Sequence, residues 1–130
     1  MKTDDMNGEK KFDFEALEVY QRAVEFANVT YEKCGRFPKD AQYSLADQLR
    51  RAALSISLNI AEGSGAFHRQ EKKQFYRISR RSCFECIPAL TIAVRQHFIR
   101  KEEYKALYDD CYKLSKMLSG LIRSLDKLNK

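Results

Sequence analysis

Proline and glycine are scarce in this sequence, two and five residues among 130. An all-β sandwich or barrel needs many turns, and a low-complexity disordered chain is usually richer in both, so neither class fits. No apolar run approaches the roughly 20 residues of a membrane span. The segment Met1 to Glu9 is polar and lacks the apolar stretch of a signal peptide, so the expected compartment is the cytoplasm and the expected thiol state is reduced. Histidine is nearly missing, and His68 and His97 stand far apart with no paired spacing. That bears on Cys83-Phe84-Glu85-Cys86, a C-x-x-C whose use as a zinc site would need two more good ligands. A thioredoxin-like use would need a preceding strand, and none is readable. Cys34, Cys83, Cys86 and Cys111 are therefore read as small buried hydrophobes. No glutamate has a histidine three residues later, which excludes the paired Glu-x-x-His of a di-iron bundle. G-x-S-x-G, the P-loop and G-x-G-x-x-G are absent, and Gly63-Ser64-Gly65 is too short to cradle a phosphate. With no nameable acid, base, nucleophile or metal ligand set, the chain reads as a non-enzyme without metal or cofactor.

What is present is helical periodicity and positive charge. The length suits one domain with one core, so residues 12–130 are read as a single domain behind a flexible polar tail over 1–11. Leu17, Tyr20, Val24, Ala27, Tyr31 and Cys34 form a 3-4-3-4-3 stripe on a first helix. Asp13 and Glu15 stand where acidic groups cap its start, and Gly35 can supply a left-handed cap at its end. A second helix is expected over Ala41–Glu62, with Leu45, Leu49, Ala52, Ile56 and Ile60 inward and Gly63 closing it. Leu54 to Ile60 alternates like a strand, but the apolar pattern runs on past twenty residues without a turn residue, so helix is preferred. Leu54 and Leu58 then make a second apolar face, which implies burial on most sides and a subunit interface. The third helix is expected over Arg69–Gln96, with Phe75, Ile78, Ser82, Cys86, Ala89 and Ala93 inward and a kink around Phe84–Pro88. In the last, Tyr104, Leu107, Cys111, Leu114, Leu118, Leu121, Leu125 and Leu128 repeat without a miss, with Glu102 and Glu103 in the first turn. Short connections between long helices imply an all-α, antiparallel, up-down-up-down four-helix bundle.

Charge is uneven. Lysine plus arginine number 24 against 18 acids, a formal net charge of +6. Residues 12–34 carry five acids against Arg22 and Lys33, whereas residues 68–81 carry Arg69, Lys72, Lys73, Arg77, Arg80 and Arg81 against Glu71 alone. Arg69, Lys73, Arg77 and Arg80 share one helical stripe, which Arg50 and Arg51 on the second helix can extend, and Phe67, Phe75 and Tyr76 interleave. Such a face is the footprint of a polyanion-binding surface, here RNA or DNA held by its phosphates. It is equally the pattern of a solvated face whose charges pair with the acidic first helix of the same or a neighbouring subunit. Ser55, Ser57, Asn59 and Glu62 interrupt the apolar stretch of the second helix. They read either as a ligand path or, preferably, as hydrogen bonds that fix helix register. Glu62 and Glu85 can meet inside the bundle as buried acceptors.

Phe37-Pro38, Leu45, Gln48, Arg50-Arg51-Ala52, Ser55-Ile56 and Asn59-Ile60-Ala61-Glu62-Gly63-Ser64-Gly65 resemble the signature of the 23S ribosomal RNA intervening-sequence proteins. Phe75 to Glu85 resembles that family's second block, in which Ser82 and Glu85 match, and the likeness runs from about Phe14 to Leu125. It implies a four-helix bundle, a homopentameric ring with a central channel, and structural roles for Asn59, Glu62, Gly63, Ser82 and Glu85. It also implies a relation to the accessory variability proteins of diversity-generating retroelements, which bind nucleic acid and a reverse transcriptase. Arg81 stands where glycine is common, and Pro88 lies outside the pattern. The resemblance supplies no catalytic residue. The expected role is binding of RNA or another nucleic acid by a basic helix face; the alternative is a scaffold that docks a protein such as a reverse transcriptase.

Overall fold

The computed structural model describes residues 11–127. Apart from Lys11, the expected polar tail lies outside them, as does the stripe residue Leu128. Among the described residues there are four helices of two turns or more, α1 (Glu18–Cys34), α2 (Asp47–Gly65), α3 (Arg69–Arg95) and α4 (Lys101–Lys127), and no strand. Packing runs α1 on α2, α2 on α3, α3 on α4 and α4 back on α1, so the bundle encloses one core. Leu49, Ile56, Ile60, Leu90, Leu114 and Leu118 are fully enclosed there. On α4 the expected stripe is the one found: Leu107, Cys111, Leu114 and Leu118 are buried, with Tyr104, Leu121 and Leu125 packed against the core.

The alternating run Leu54–Ile60 is helical, and the helix sorts it unevenly. Ile56 and Ile60 are sealed, while Leu54 and Leu58 remain 41% and 55% exposed. A second apolar face therefore exists on the surface of the single chain. On α1 the buried set is Val19, Ala23, Phe26, Ala27, Thr30 and Cys34; of the expected stripe Ala27 and Cys34 are buried, Leu17 and Tyr20 pack against the core, and Val24 and Tyr31 face outward. Both stripes have helical spacing, and the one with small residues lets α1 approach its neighbours closely. Asp13 and Glu15 do not start α1. They lie in a separate 3-10 turn (Asp13–Ala16), and extended Leu17 precedes the helix without a side-chain cap. Gly35 is right-handed, φ −61°, and the chain leaves α1 through tight turns from Arg36 N–H to the Lys33 carbonyl and Phe37 N–H to the Cys34 carbonyl. The second segment is likewise not one helix from Ala41. A 3-10 turn (Lys39–Ala41) and a π turn (Gln42–Ala46) precede α2, which runs on through Gly63 to Gly65. On α3, Tyr76 and Ser79 are buried, while Phe75 and Ile78 are half-buried. Pro88 lies within the continuous span of α3.

The loop between α3 and α4 uses His97 at φ 63°, with Phe98 N–H bonded to the Ala93 carbonyl and His97 N–H to that of Val94. This is a Schellman closure with histidine in the usual glycine position. Glu103 then fixes the start of α4. It accepts from the Arg100 backbone N–H at 2.8 Å, in the manner of a capping box, and from Lys33 Nζ at 2.9 Å and Arg36 Nη2 at 3.0 Å. These donors, the Arg100 N–H foremost, hold its carboxyl at about 2. A carboxyl lowered on folding stabilises above its ordinary value of 4.5 and loses that contribution as pH falls toward about 2. Glu103→Gln is expected to lower stability by about 2 kcal/mol at neutral pH, and the gap from the parent should close by about pH 2. Urea unfolding at several pH values checks this; a gap that does not narrow with acid would refute it.

Candidate nucleic-acid interface

The eight expected cations fall into two groups. Arg50, Lys72 and Lys73 are engaged inside the chain. The Arg50 guanidinium donates to Gln42 Oε1 at 3.1 Å and to the Gln42 carbonyl at 3.0 Å, while Gln42 Nε2 donates to the Cys34 and Phe37 carbonyls. Arg50 thus props the π turn at the entry to α2. Lys72 Nζ donates to the Ser64 carbonyl at 2.8 Å and weakly to that of Gly63, closing the end of α2. Lys73 is buried between α3 and α4 and pairs with Asp126. The hydrogen bond from Lys73, and then the charges of Lys73 and Arg77, hold the Asp126 carboxyl below its ordinary value.

The remaining five reach solvent. Arg51 is exposed and bound to Asp47 at 2.9 Å. Arg80 is half-buried and donates to Ser119 Oγ at 3.1 Å. Arg69 is half-buried, Arg77 and Arg81 are exposed, and none of these three makes an ion pair among the described residues. Among the described residues no acid of α1 pairs with any of the eight. Its Glu18 binds Arg22 on the same helix at 2.9 Å.

A helix advances about 100° per residue, so Arg77, Arg80 and Arg81 stand on the side of α3 that borders α4 and the adjoining solvent. The contacts Lys73–Asp126 and Arg80–Ser119 mark that border. Across it, α4 presents exposed Lys116 and Arg123. Lys116 Nζ lies 5.2 Å from the centre of the Tyr112 ring. Sequence reasoning missed these two, although Lys116, Ser119 and Arg123 are spaced 3 and 4 apart. Arg50 and Arg51 sit in the first turn or so of α2, away from this groove. The structure therefore does not join them to the α3 cations.

Of the polar residues of α2, Ser55 bonds across to α3, whereas Ser57 Oγ donates to the Leu54 carbonyl and Asn59 bonds within α2. Ser82 Oγ and Ser55 Oγ are 2.8 Å apart, Asn59 Nδ2 donates to the Ser55 carbonyl at 2.9 Å, and Ser79 Oγ donates to the Ile56 carbonyl at 2.8 Å. Glu62 and Glu85 are both exposed, so they do not meet inside the bundle. All four cysteines are buried and unbridged. The neighbouring Cys111 thiol, and then burial, push Cys83 and Cys86 up, and burial pushes Cys34 to about 11 against the pull of Arg50. Among the described residues no histidine, cysteine or carboxylate cluster has the arrangement to hold a metal ion. No described helix is long and apolar enough to cross a membrane.

The sequence model of the family described as 23S rRNA-intervening sequence protein matches residues 15–120. Among solved structures, the chain is similar to a protein of unknown function from the S23 ribosomal protein family of Bacteroides thetaiotaomicron. The TM-score is 0.73 at 23% identity, over 80% of this chain and 97% of that one, a likeness of fold. A search of curated proteins gave no match.

Proposed function

The chain belongs to the 23S rRNA-intervening sequence protein family, and from that premise we propose a non-enzymatic, cytoplasmic, oligomeric bundle that binds RNA through the basic groove between α3 and α4. The observation that carries the reading is the row of Arg77, Arg80 and Arg81 facing Lys116 and Arg123, five cations beside Asp126, whose charge Lys73 already neutralises. Such a row contacts phosphates, not base edges, so affinity is salt-dependent and discriminates little by sequence. The proposed order is up-down-up-down: Lys73–Asp126, Arg80–Ser119 and Thr91–Tyr104 rise along α3 as they fall along α4, which supports an antiparallel α3–α4 pair. Exposed Leu54 and Leu58 on α2 support self-association, with the homopentameric ring implied by the family resemblance as the proposed form. A ring repeats the groove, and weak contacts then add by avidity.

The test is fluorescence anisotropy with a structured RNA and a duplex DNA over a salt series. The parent is compared with Arg77/Arg80/Arg81→Ala after both are shown to have the same oligomeric mass. The log–log salt slope of the parent is expected to be several units, and the variant should lose roughly 2 units of it per groove engaged. Absence of binding at about 50 mM salt, with the oligomer intact, would overturn the reading and turn attention to a protein partner.

A further inference from the structure

The groove between α3 and α4 changes character along its length. One turn beyond Arg80 it opens into a cleft of about 130 Å³ with Cys83, Ile87 and Cys111 at its base. Phe84 rises from α3 on one side, and Tyr108 and Tyr112 from α4 on the other. These rings stay 61%, 39% and 54% exposed, unusual for three aromatics about one cleft. The volume is close to that of the roughly 150 Å³ cavity that holds one benzene ring, so it suits one planar group. Arg77 and Arg81 lie on the same flank of α3 as Phe84, seven and three residues earlier, which places the nearer cation within about 5 Å of axial rise and the farther about 10 Å away. Lys116 stands over Tyr112 on the opposite rim.

Exposed rings alone do not single out this cleft. A second aromatic hollow, formed by Phe14, Phe67 and Phe75, carries Glu62 and Glu71, which repel phosphate. Of these two hollows among the described residues, the α3–α4 cleft is the one whose open π faces have no acid in the lining and lie next to Arg77, Arg81 and Lys116. A duplex hides its base faces by stacking and offers a groove of this kind only phosphates. A single strand offers both a backbone and free base faces, the pairing of chemistries that single-strand sites use. We infer that this groove takes single-stranded RNA, with Arg77, Arg80 and Arg81 on phosphates and an unpaired base stacked between Phe84 and Tyr112. The inference rests on the nucleic-acid reading above and specifies its ligand.

The probe is a fluorescein-labelled 12-nucleotide single-stranded RNA, set against an RNA duplex of the same length. Phe84→Ala and Tyr112→Ala are each expected to weaken the single strand about tenfold and leave duplex binding unchanged, while Tyr112→Phe binds as the parent does. The chain has no tryptophan, so Tyr112→Trp gives one reporter, whose fluorescence the single strand should quench and the duplex should not. Equal binding of both RNAs, unmoved by the alanine variants, would overturn this inference and leave the phosphate-binding reading standing. Loss of all salt-sensitive binding in the parent would overturn both. A changed oligomeric mass in Phe84→Ala would assign the cleft to contact between copies of the chain and likewise overturn the inference.

Discussion

Gly63→Val is expected to cost more than about 3 kcal/mol of stability, and Gly63→Ala about 1–2 kcal/mol. A Cβ at this position would lie 2.6 Å from Tyr76 Cε1, 2.9 Å from Tyr76 Cδ1 and 3.2 Å from Phe75 Cβ. The first two are distances that real Cβ atoms do not keep. Tyr76 is 5% exposed and has little space to swing into. Phe75 Cβ moves only with the backbone of α3. The helices must separate, and separation stretches the Ser55–Ser82 and Ser79–Ile56 bonds that tie them. Alanine recovers about 1 kcal/mol through better helix propensity, which is why its net cost is modest; valine recovers less and adds two methyl groups. For a chain of this length each kcal/mol lowers Tm by about 3–5 °C. Urea and thermal unfolding give the values. A Gly63→Ala/Tyr76→Leu pair should lose less than the sum of its members, because the smaller side chain removes the collision. A Gly63→Ala protein more stable than the parent would show that the close approach of α2 and α3 is not sustained.

The presence of four helices was legible because their apolar residues recur at 3 and 4 over long spans, and α4 carried the signal without competition. The face of α1 was legible only in part. Two stripes about one residue apart both have helical spacing, and only the neighbouring helices decide between them. Sequence rank by size favours Val24 and Tyr31; packing favours Ala23 and Thr30, which are fully buried. The entry to α2 was hidden for a related reason. Arg50 holds the π turn by bonds to a residue eight positions earlier, a contact no periodicity announces. The candidate site was legible as charge and not as geometry. The stripe Arg69–Lys73–Arg77–Arg80 is real as helical register, but the turn that carries Arg77 to the rim of the groove carries Lys73 into the crease under α4. Lys116 and Arg123 went unread because α4 was judged by its leucines. The cleft aromatics Phe84, Tyr108 and Tyr112 lie off the expected core stripes of α3 and α4 and escaped because periodicity does not show which two helix flanks meet.

The burial of Lys73 makes it the place where fold and binding can be separated. Its side chain is 9% exposed and its ammonium meets Asp126, itself 53% exposed, at the edge of the α3–α4 contact. Lys73→Glu would set a second carboxylate against Asp126 with most of its side chain out of water. The expected loss is on the order of 2–4 kcal/mol, since a buried charge facing a like charge is neither solvated nor paired. Lys73→Met keeps the apolar stem and removes the charge, and a side chain of that shape between two helices should hold stability within about 1 kcal/mol of the parent. Asp126→Asn should be milder than Lys73→Glu, because Lys73 keeps a hydrogen-bond acceptor there. RNA binding should follow a different order. Lys73→Met is expected to leave the salt slope unchanged, because that ammonium already belongs to Asp126, whereas Arg77→Ala should lower it by nearly one unit per groove. A charge-removal series that includes Lys73→Ala would confuse the two effects, since loosening α4 also disturbs Lys116, Arg123 and the far rim. If Lys73→Met instead reduced the slope as much as Arg77→Ala, Lys73 would have to leave Asp126 in the complex, and the groove would have to open on binding. Measuring unfolding and salt slope on the parent, Lys73→Glu, Lys73→Met, Asp126→Asn and Arg77→Ala distinguishes a fixed groove from one that opens.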